Sequence, residues 1–352
     1  MMRQTLLATL LMLLPAGMNA QEKNQADDLR ITQIFGETRL GFHSANSEGH
    51  ANDDKTGFRG DYLNFRIDGQ IVSGLTFSYR QRLNKNSSAS FFDATDWLHL
   101  DWKAAPSLTL SAGKQVVAIG GFEYDRAPID LYYCSEFWQN IACYQLGVSA
   151  AYDLTQHDQL LLQVCNSPFR TDELCGNNTY AFNLMWYGHH GVWETMWSAN
   201  VLNRTRSRYM TFVALGNRFN ITPQMHLDVD VMNRMTGDCG PFHDFSVMTE
   251  LSYQPTASLR CHLKYTHDEN NSDDPSDLLV HAGTTINMFS GGVEYAPLKD
   301  HREALRIFAL AGYAYGTNTN PGGTVLYDSS LGQTVKNQLL AEVGVKIKIM
   351  KE

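Results

Sequence analysis

Three groups of residues invite a chemical reading. Asp268 to Asp277 reads DENNSDDPSD, and its five carboxylates could gather a calcium ion. A calcium loop needs a glycine at its sharp turn and a closing bidentate glutamate. The stretch has neither, so it reads as a solvated acidic loop. The twelve histidines include the pair His189-His190, together with His226 and His262. None has a partner at metal-ligand spacing, so no metal is expected. GxSxG, HExxH and P-loop patterns are absent, and GGFEYDRAPID lacks the lysine-serine ending of a phosphate loop. No catalytic residue and no cofactor is expected. A different order runs through the remaining charges. Arg80 and Arg82, Asp228 and Asp230, and Lys346 and Lys348 each stand two residues apart. That spacing puts both members of a pair on one face of a β-strand.

The elements that would carry them follow the same period. In AEVGVKIKI, Ala341, Val343, Val345, Ile347 and Ile349 alternate with Glu342, Gly344, Lys346 and Lys348. In DYLNFRIDGQI, Leu63, Phe65 and Ile67 alternate with Tyr62, Asn64, Arg66 and Asp68. Sixteen such segments are expected, at 38–44, 58–71, 75–84, 94–102, 108–118, 144–153, 158–165, 180–188, 193–202, 208–218, 225–234, 245–253, 259–267, 286–297, 305–316 and 337–349. The phase of 208–218 is ambiguous. Lengths near ten residues suit tilted strands crossing a bilayer.

Long and short connections alternate, with 203–207 as an exception. Ser73-Gly74, Thr155-Gln156-His157 and His189-His190-Gly191 are tight, whereas 45–57, 119–143, 166–179, 268–285 and 317–336 are long and polar. A soluble sandwich has no reason to gather its long loops at one end, and a transmembrane barrel does. Outward-phase aromatics form two sets. Trp102, Tyr152, Trp193, Tyr253 and Tyr295 stand beside short turns, and Tyr144, Tyr180, Phe245 and Tyr313 beside long loops. Rings at both ends of the strands match membrane-interface girdles.

The amino terminus fits export. Arg3, the apolar run Leu6 to Leu14 and the small residues before Gln21 read as a signal peptide over 1–20. Residues 21–30 read as a short periplasmic leader and 31–352 as the barrel. Removing Arg3 with the signal changes the net charge from −9 to −10. That sign excludes a nucleic-acid-binding surface. The fold expected is all-β: a transmembrane antiparallel barrel of about 16 strands, with short periplasmic turns and long external loops. Its lumen is too wide for side chains to fill.

Inward-phase basic residues are Arg66, Arg80, Arg82, Arg260, Lys264, Arg306, Lys346 and Lys348. Inward-phase acids are Asp68, Asp101, Asp153, Glu194, Asp228, Asp230, Glu250, Glu294 and Glu342. Eight against nine gives no ring of one sign. The expectation is a porin in the bacterial outer membrane that passes small hydrophilic solutes or ions by diffusion with weak selectivity. The alternative is a surface adhesin or receptor using the barrel as an anchor. Against it, no external loop exceeds about 25 residues. Lys114 falls on the outward phase, which leaves either a bulge or a snorkelling side chain.

The stretch GKQVVAIGGFEYDRAPIDLYYCSEFW, Gly113 to Trp138, followed by YQLGVSAAYDL, resembles the porin family named for phosphate-selective porins O and P. Its divergent members from gut-type Bacteroidetes are the most similar, over residues ~58–155. The short motif is Gly113-Lys114-Gln115 with Gly121 and Glu123. The resemblance implies a sixteen-stranded outer-membrane channel, a homotrimer, and an inward third external loop, here 119–143. Selective members carry a dense ladder of arginines and lysines, which this chain lacks.

Three expectations concern detail. Export into an oxidising compartment favours local bridges Cys134–Cys143 and Cys165–Cys175, while Cys239 and Cys261 lie too differently to pair. Loop 119–143 should lay its aromatics on the inner wall and point Glu123, Asp125, Arg126, Asp130 and Glu136 into the pore. Arg80 and Arg82 should face Asp228 and Asp230 across the lumen and set a transverse field.

Overall fold

The computed structural model describes residues 29–84, 92–169, 178–237, 239–272, 279–323, 325–328 and 332–351. Sixteen long antiparallel strands follow one another around a closed sheet. They are β1 (Arg30–Ser47), β2 (Gly57–Val72), β3 (Leu75–Arg82), β4 (Thr95–Ala105), β5 (Leu108–Val116), β6 (Tyr144–Asp153), β7 (Asp158–Asn166) and β8 (Tyr180–His190). The other half comprises β9 (Trp193–Asn203), β10 (Tyr209–Thr222), β11 (Met225–Thr236), β12 (Cys239–Thr256), β13 (Leu259–Asn270), β14 (Thr285–Tyr295), β15 (Leu305–Thr317) and β16 (Asn337–Lys351). β16 returns to pair with β1, from Ile34↔Lys351 to Ser47↔Gln338. Every strand therefore has two partners and no edge is left open, which an apolar solvent requires of a sheet. No helix among the described residues is long and apolar enough to cross a membrane.

The expected alternation sorts side chains between two surroundings. Leu63, Leu263, Val293, Ile307, Val343 and Ile349 are exposed on the outer wall. Glu37, Arg39, Lys264, Glu294, Arg306 and Lys346 are buried on the inner one. Trp102, Tyr152, Tyr253 and Tyr295 stand exposed beside the short turns, and Tyr180 and Tyr313 beside long loops. Tyr144 departs from the expected phase: its hydroxyl accepts from Arg80 Nη2 at 3.0 Å inside the barrel. Lys114 keeps its outward register opposite Leu98 without a bulge. Its ammonium donates to the Phe92 carbonyl at 2.9 Å, so the side chain bends toward the loop.

β1 begins earlier than the expected 38, because register shifts at Ile31/Gln33 and Arg39/Leu40 interrupt its alternation with β2. β10 was ambiguous in phase because both its faces are apolar. Val213 and Leu215 share one face; Met210, Phe212 and Ala214 share the other and are buried. Residues 1–28, including the expected signal peptide and most of the leader, lie outside the described residues, as do Cys175 and part of the acidic loop.

The outer wall yields a test of lipid exposure. Val343→Arg, mid-strand on β16, should destabilise the barrel refolded in phospholipid vesicles by about 2–4 kcal/mol in chemical unfolding. No measurable loss would place Val343 away from the hydrocarbon.

Candidate functional site

After β5 the chain turns into the barrel rather than away from it. Ala118 N donates to Gln163 Oε1 at 2.8 Å, and Gly120 N to Ser198 Oγ at 2.8 Å. Asn200 Nδ2 donates to the Ala118 carbonyl at 2.7 Å. Gly120 and Gly121 make this approach possible. A Cβ on Gly120 would collide with the Met196 carbonyl oxygen, and Gly121 has φ 115°, a region side chains disfavour. Beyond them lie two short helices, α1 (Phe122–Asp125) and α2 (Glu136–Asn140), with a 3₁₀ turn at Pro128–Asp130 between.

The inner wall supplies an apolar bed. Tyr124, Phe137 and Ile141 of the loop pack with Met210, Phe212, Ala214 and Met232. Phe137 meets Phe212 edge-on at 5.9 Å. Farther round, Tyr132 stacks on His262 at 5.5 Å and touches Phe308 at 5.5 Å. These aromatics lie against the wall as the sequence led us to expect.

Wall carboxylates then cap the loop's helices. Asp230 Oδ2 on β11 accepts from Glu123 N at 2.8 Å in the first turn of α1. Asp268 Oδ2 on β13 accepts from Glu136 N at 2.8 Å at the start of α2. Amides at a helix start have no partner within the helix, and a carboxylate there satisfies them and favours the dipole.

Ion pairs complete the attachment. Lys264 Nζ reaches Glu123 Oε1 at 2.6 Å, and Ser135 Oγ also donates to Glu123. Arg126 Nη1 meets Glu250 Oε1 at 2.5 Å and its Nη2 meets Asp228 Oδ2 at 3.1 Å. Arg218 grips Asp228 with two bonds of 2.7 and 2.9 Å. Asp130 lies between Lys346 at 2.8 Å and Arg306 at 2.9 Å. Both cations also reach Glu294, at 2.6 and 3.2 Å, and Tyr132 Oη donates to Glu294 at 2.6 Å. Arg39 Nη1 donates to the Leu131 carbonyl at 2.8 Å.

Three expectations change in consequence. Glu123 and Glu136 do not point into the pore: both are buried on the wall, Glu136 accepting from Asn140 and Asn320. Among the loop acids, Asp125 is the exposed one. The transverse field also falls. β3 and β11 stand eight strands apart, but Asp228 and Asp230 are covered by the loop, and Asp228 is neutralised by Arg126 and Arg218. Arg80 and Arg82 both pair with Asp96, at 2.8 and 3.3 Å. The Cys134–Cys143 bridge is likewise absent; both thiols are free. α2, capped from the wall, lies between them, and Cys143 donates to the Ile141 carbonyl at 3.5 Å. Burial pushes the Cys134 thiol up to about 12. Cys165 is free and accepts from Asn183.

The remaining expected lining residues are distributed as follows. Arg66 pairs with Asp68 at 2.9 Å and lies over the rings of Phe35 and Trp97. Lys348 lies over Phe35, and Arg260 is exposed. A cavity of about 480 Å³ is lined by Arg66, Asp68, Ser78, Trp97, His99 and Asp101 among others. Reading the sequence missed Arg39, Asp96, Arg218 and the capping role of Asp268. The signal for Asp268 was available, since His262, Lys264, Thr266 and Asp268 continue one inward phase. Asp96 sits at a register shift between Arg80 and Gln81, which alternation cannot reveal.

The profile of the family described as "Phosphate-selective porin O and P" matches residues 33–231. No curated protein matches the sequence. Among solved structures, an anion-selective porin from Comamonas acidovorans superposes with a TM-score of 0.65 at 11% identity, covering 92% of this chain and 100% of that one. OmpT, an outer membrane protein of Vibrio cholerae, gives 0.56 at 13% identity, covering 94% and 100%. A mutant of the Rh. blastica porin gives 0.54 at 11% identity, covering 91% and 100%. Identities this low show a shared fold.

Two tests address the attachment. Asp230→Ala combined with Asp268→Ala removes both caps, each ordinarily worth ~0.5–2 kcal/mol. The loop should loosen, raising open-channel noise in planar bilayers; an unaltered trace would show that the caps do not hold it. The second test uses pH. Burial alone would raise the Asp130 carboxyl, but Lys346 and Arg306 outweigh it and hold it at about 2 against an ordinary 3.8. The folded value is depressed, so this clamp is fully present above the ordinary value and is lost as pH falls through about 2. Channel noise should stay low at pH 4 and rise toward pH 2. Asp130→Asn should show the noisier trace at neutral pH.

Proposed function

The chain belongs to the phosphate-selective porin O and P family and so forms an outer-membrane channel for passive diffusion of solutes, and from that premise we propose that its pore is weakly selective and carries small hydrophilic solutes or ions of either sign. One observation carries the reading: the lumen's charges are largely neutralised in pairs. Arg66 pairs with Asp68, Arg80 and Arg82 with Asp96, Arg218 with Asp228, and Lys346 with Glu294. Selectivity for one ion sign needs an unbalanced ring of charge. Preference for phosphate is therefore not part of the proposal.

Two residues near the solute path tune the balance. Asp125 is exposed and makes no ion pair among the described residues. Arg66 is the most exposed arginine among the lumen's ion pairs, at 33%. The Bacteroidetes-type affiliation, export through the segment 1–20 and a homotrimeric assembly belong to the same reading. Their support is the resemblance over residues ~58–155 and the pattern of the amino terminus.

Single-channel recording tests the proposal. A steady conductance with a reversal potential near zero in a salt gradient is expected. Asp125→Asn should move that potential toward anion preference and Arg66→Ala toward cation preference, both shifts shrinking in high salt as screening grows. A barrel serving as an anchor for an adhesin or receptor would show no steady conductance, and that result would end this reading.

A further inference from the structure

Near the external end of the barrel, where the first and last strands meet, three side chains converge without any role in holding the loop's helices. His43 is on β1, Asp61 at the register shift of β2 and Glu342 on β16. His43 Nε2 lies 3.2 Å from Asp61 Oδ2 and 3.4 Å from Glu342 Oε1. One donor atom from each residue lies within 4.8 Å of the other two. The Glu342 side chain is only 5% exposed, yet its Oε1 has no hydrogen-bond donor, while His43 Nε2 has Asp61 Oδ2 as its close neighbour. A buried carboxylate oxygen without a donor is costly unless something sits beside it.

We propose that His43, Asp61 and Glu342 form a binding site for one divalent transition-metal cation of the zinc type. The donor set is one imidazole nitrogen and two carboxylates, with room in the coordination sphere for a water. The spacing fits. Tetrahedral ligands about 2.0–2.2 Å from a zinc ion stand about 3.3–3.6 Å from one another, close to the 3.2 and 3.4 Å separations here. Two carboxylates meet the guanidinium of Arg39, whose Nε is 3.2 Å from Asp61 and 4.0 Å from Glu342, and Arg59 also acts on Asp61. Arg39 is drawn the other way by the Ile129 and Leu131 carbonyls and by the rings of Tyr62 and Tyr132. A bound cation would cross-link β1, β2 and β16 at the closing seam. Through Arg39 it would adjoin the inward loop.

The test uses the full-length refolded protein in detergent, stripped with a chelator and titrated with zinc chloride against a chromophoric competitor. One site per chain is expected, and both His43→Ala and Glu342→Gln should weaken it at least tenfold. His189→Ala, at the end of β8 on the opposite rim of the barrel, should leave it unchanged. Heat-modifiable migration on gels checks that each variant has folded. Anomalous diffraction from zinc-soaked wild-type crystals needs no variant: a peak between His43, Asp61 and Glu342 supports the site. No such peak, or zinc binding that both folded variants retain in full, would reduce the cluster to a hydrogen-bonded seam and overturn the proposal.

Discussion

The rest of the structure depends on a loop being held inside a water-filled barrel by carboxylates and amines taken largely out of water. A buried charge is expensive alone and tolerable in a pair. Glu123 with Lys264, Arg126 with Glu250 and Asp228, and Asp130 with Lys346 and Arg306 meet that condition, each pairing a loop residue with a wall strand. Removing one partner of such a pair costs about 3–5 kcal/mol, because the other is left buried and uncompensated. The loop's position is therefore specified residue by residue. The apolar bed around Phe212 adds burial that is less particular about geometry.

The attachment also takes up wall charges. Wall residues engaged by the loop cannot present their charges to a passing ion, and Asp228 and Asp230 are covered by it. On the facing wall the pairing is local, since Asp96 takes both Arg80 and Arg82. Many of the lumen's charges are thus held in pairs. The same closed sheet presents hydrocarbon outward, and the alternation that sorts the two surroundings is set by the two-residue period of the backbone.

That period is why so much was legible in the sequence. β16 displays it without interruption from Ala341 to Ile349, and all sixteen expected strands overlap observed ones. It fails where the physics departs from strict alternation. The register shifts of β1 hid its first residues, and β10 was ambiguous because the loop turns its inward face apolar. The loop's aromatic content and its inward path were readable; the destinations of its acids were not. Glu123 and Glu136 look like pore charges until Lys264 and the asparagines are placed beside them. Cys134 and Cys143 have the spacing of a local bridge, but α2 and its cap from Asp268 keep them as separate thiols. The pairings of Glu123 with Lys264, Glu136 with Asn320 and Glu136 with Asp268 join residues over a hundred positions apart, and no local pattern encodes them.

The most direct measurement of the central claim is the single-channel conductance of a barrel lacking residues 123–130. This segment holds most of α1, Arg126 and Asp130, and with them the three ion-pair attachments described above. If the inward loop narrows the path, the shortened protein, still assembled by heat-modifiable migration, conducts more than the full chain. An assembled barrel of unchanged conductance would show that the loop does not define the pore, and would contradict this account.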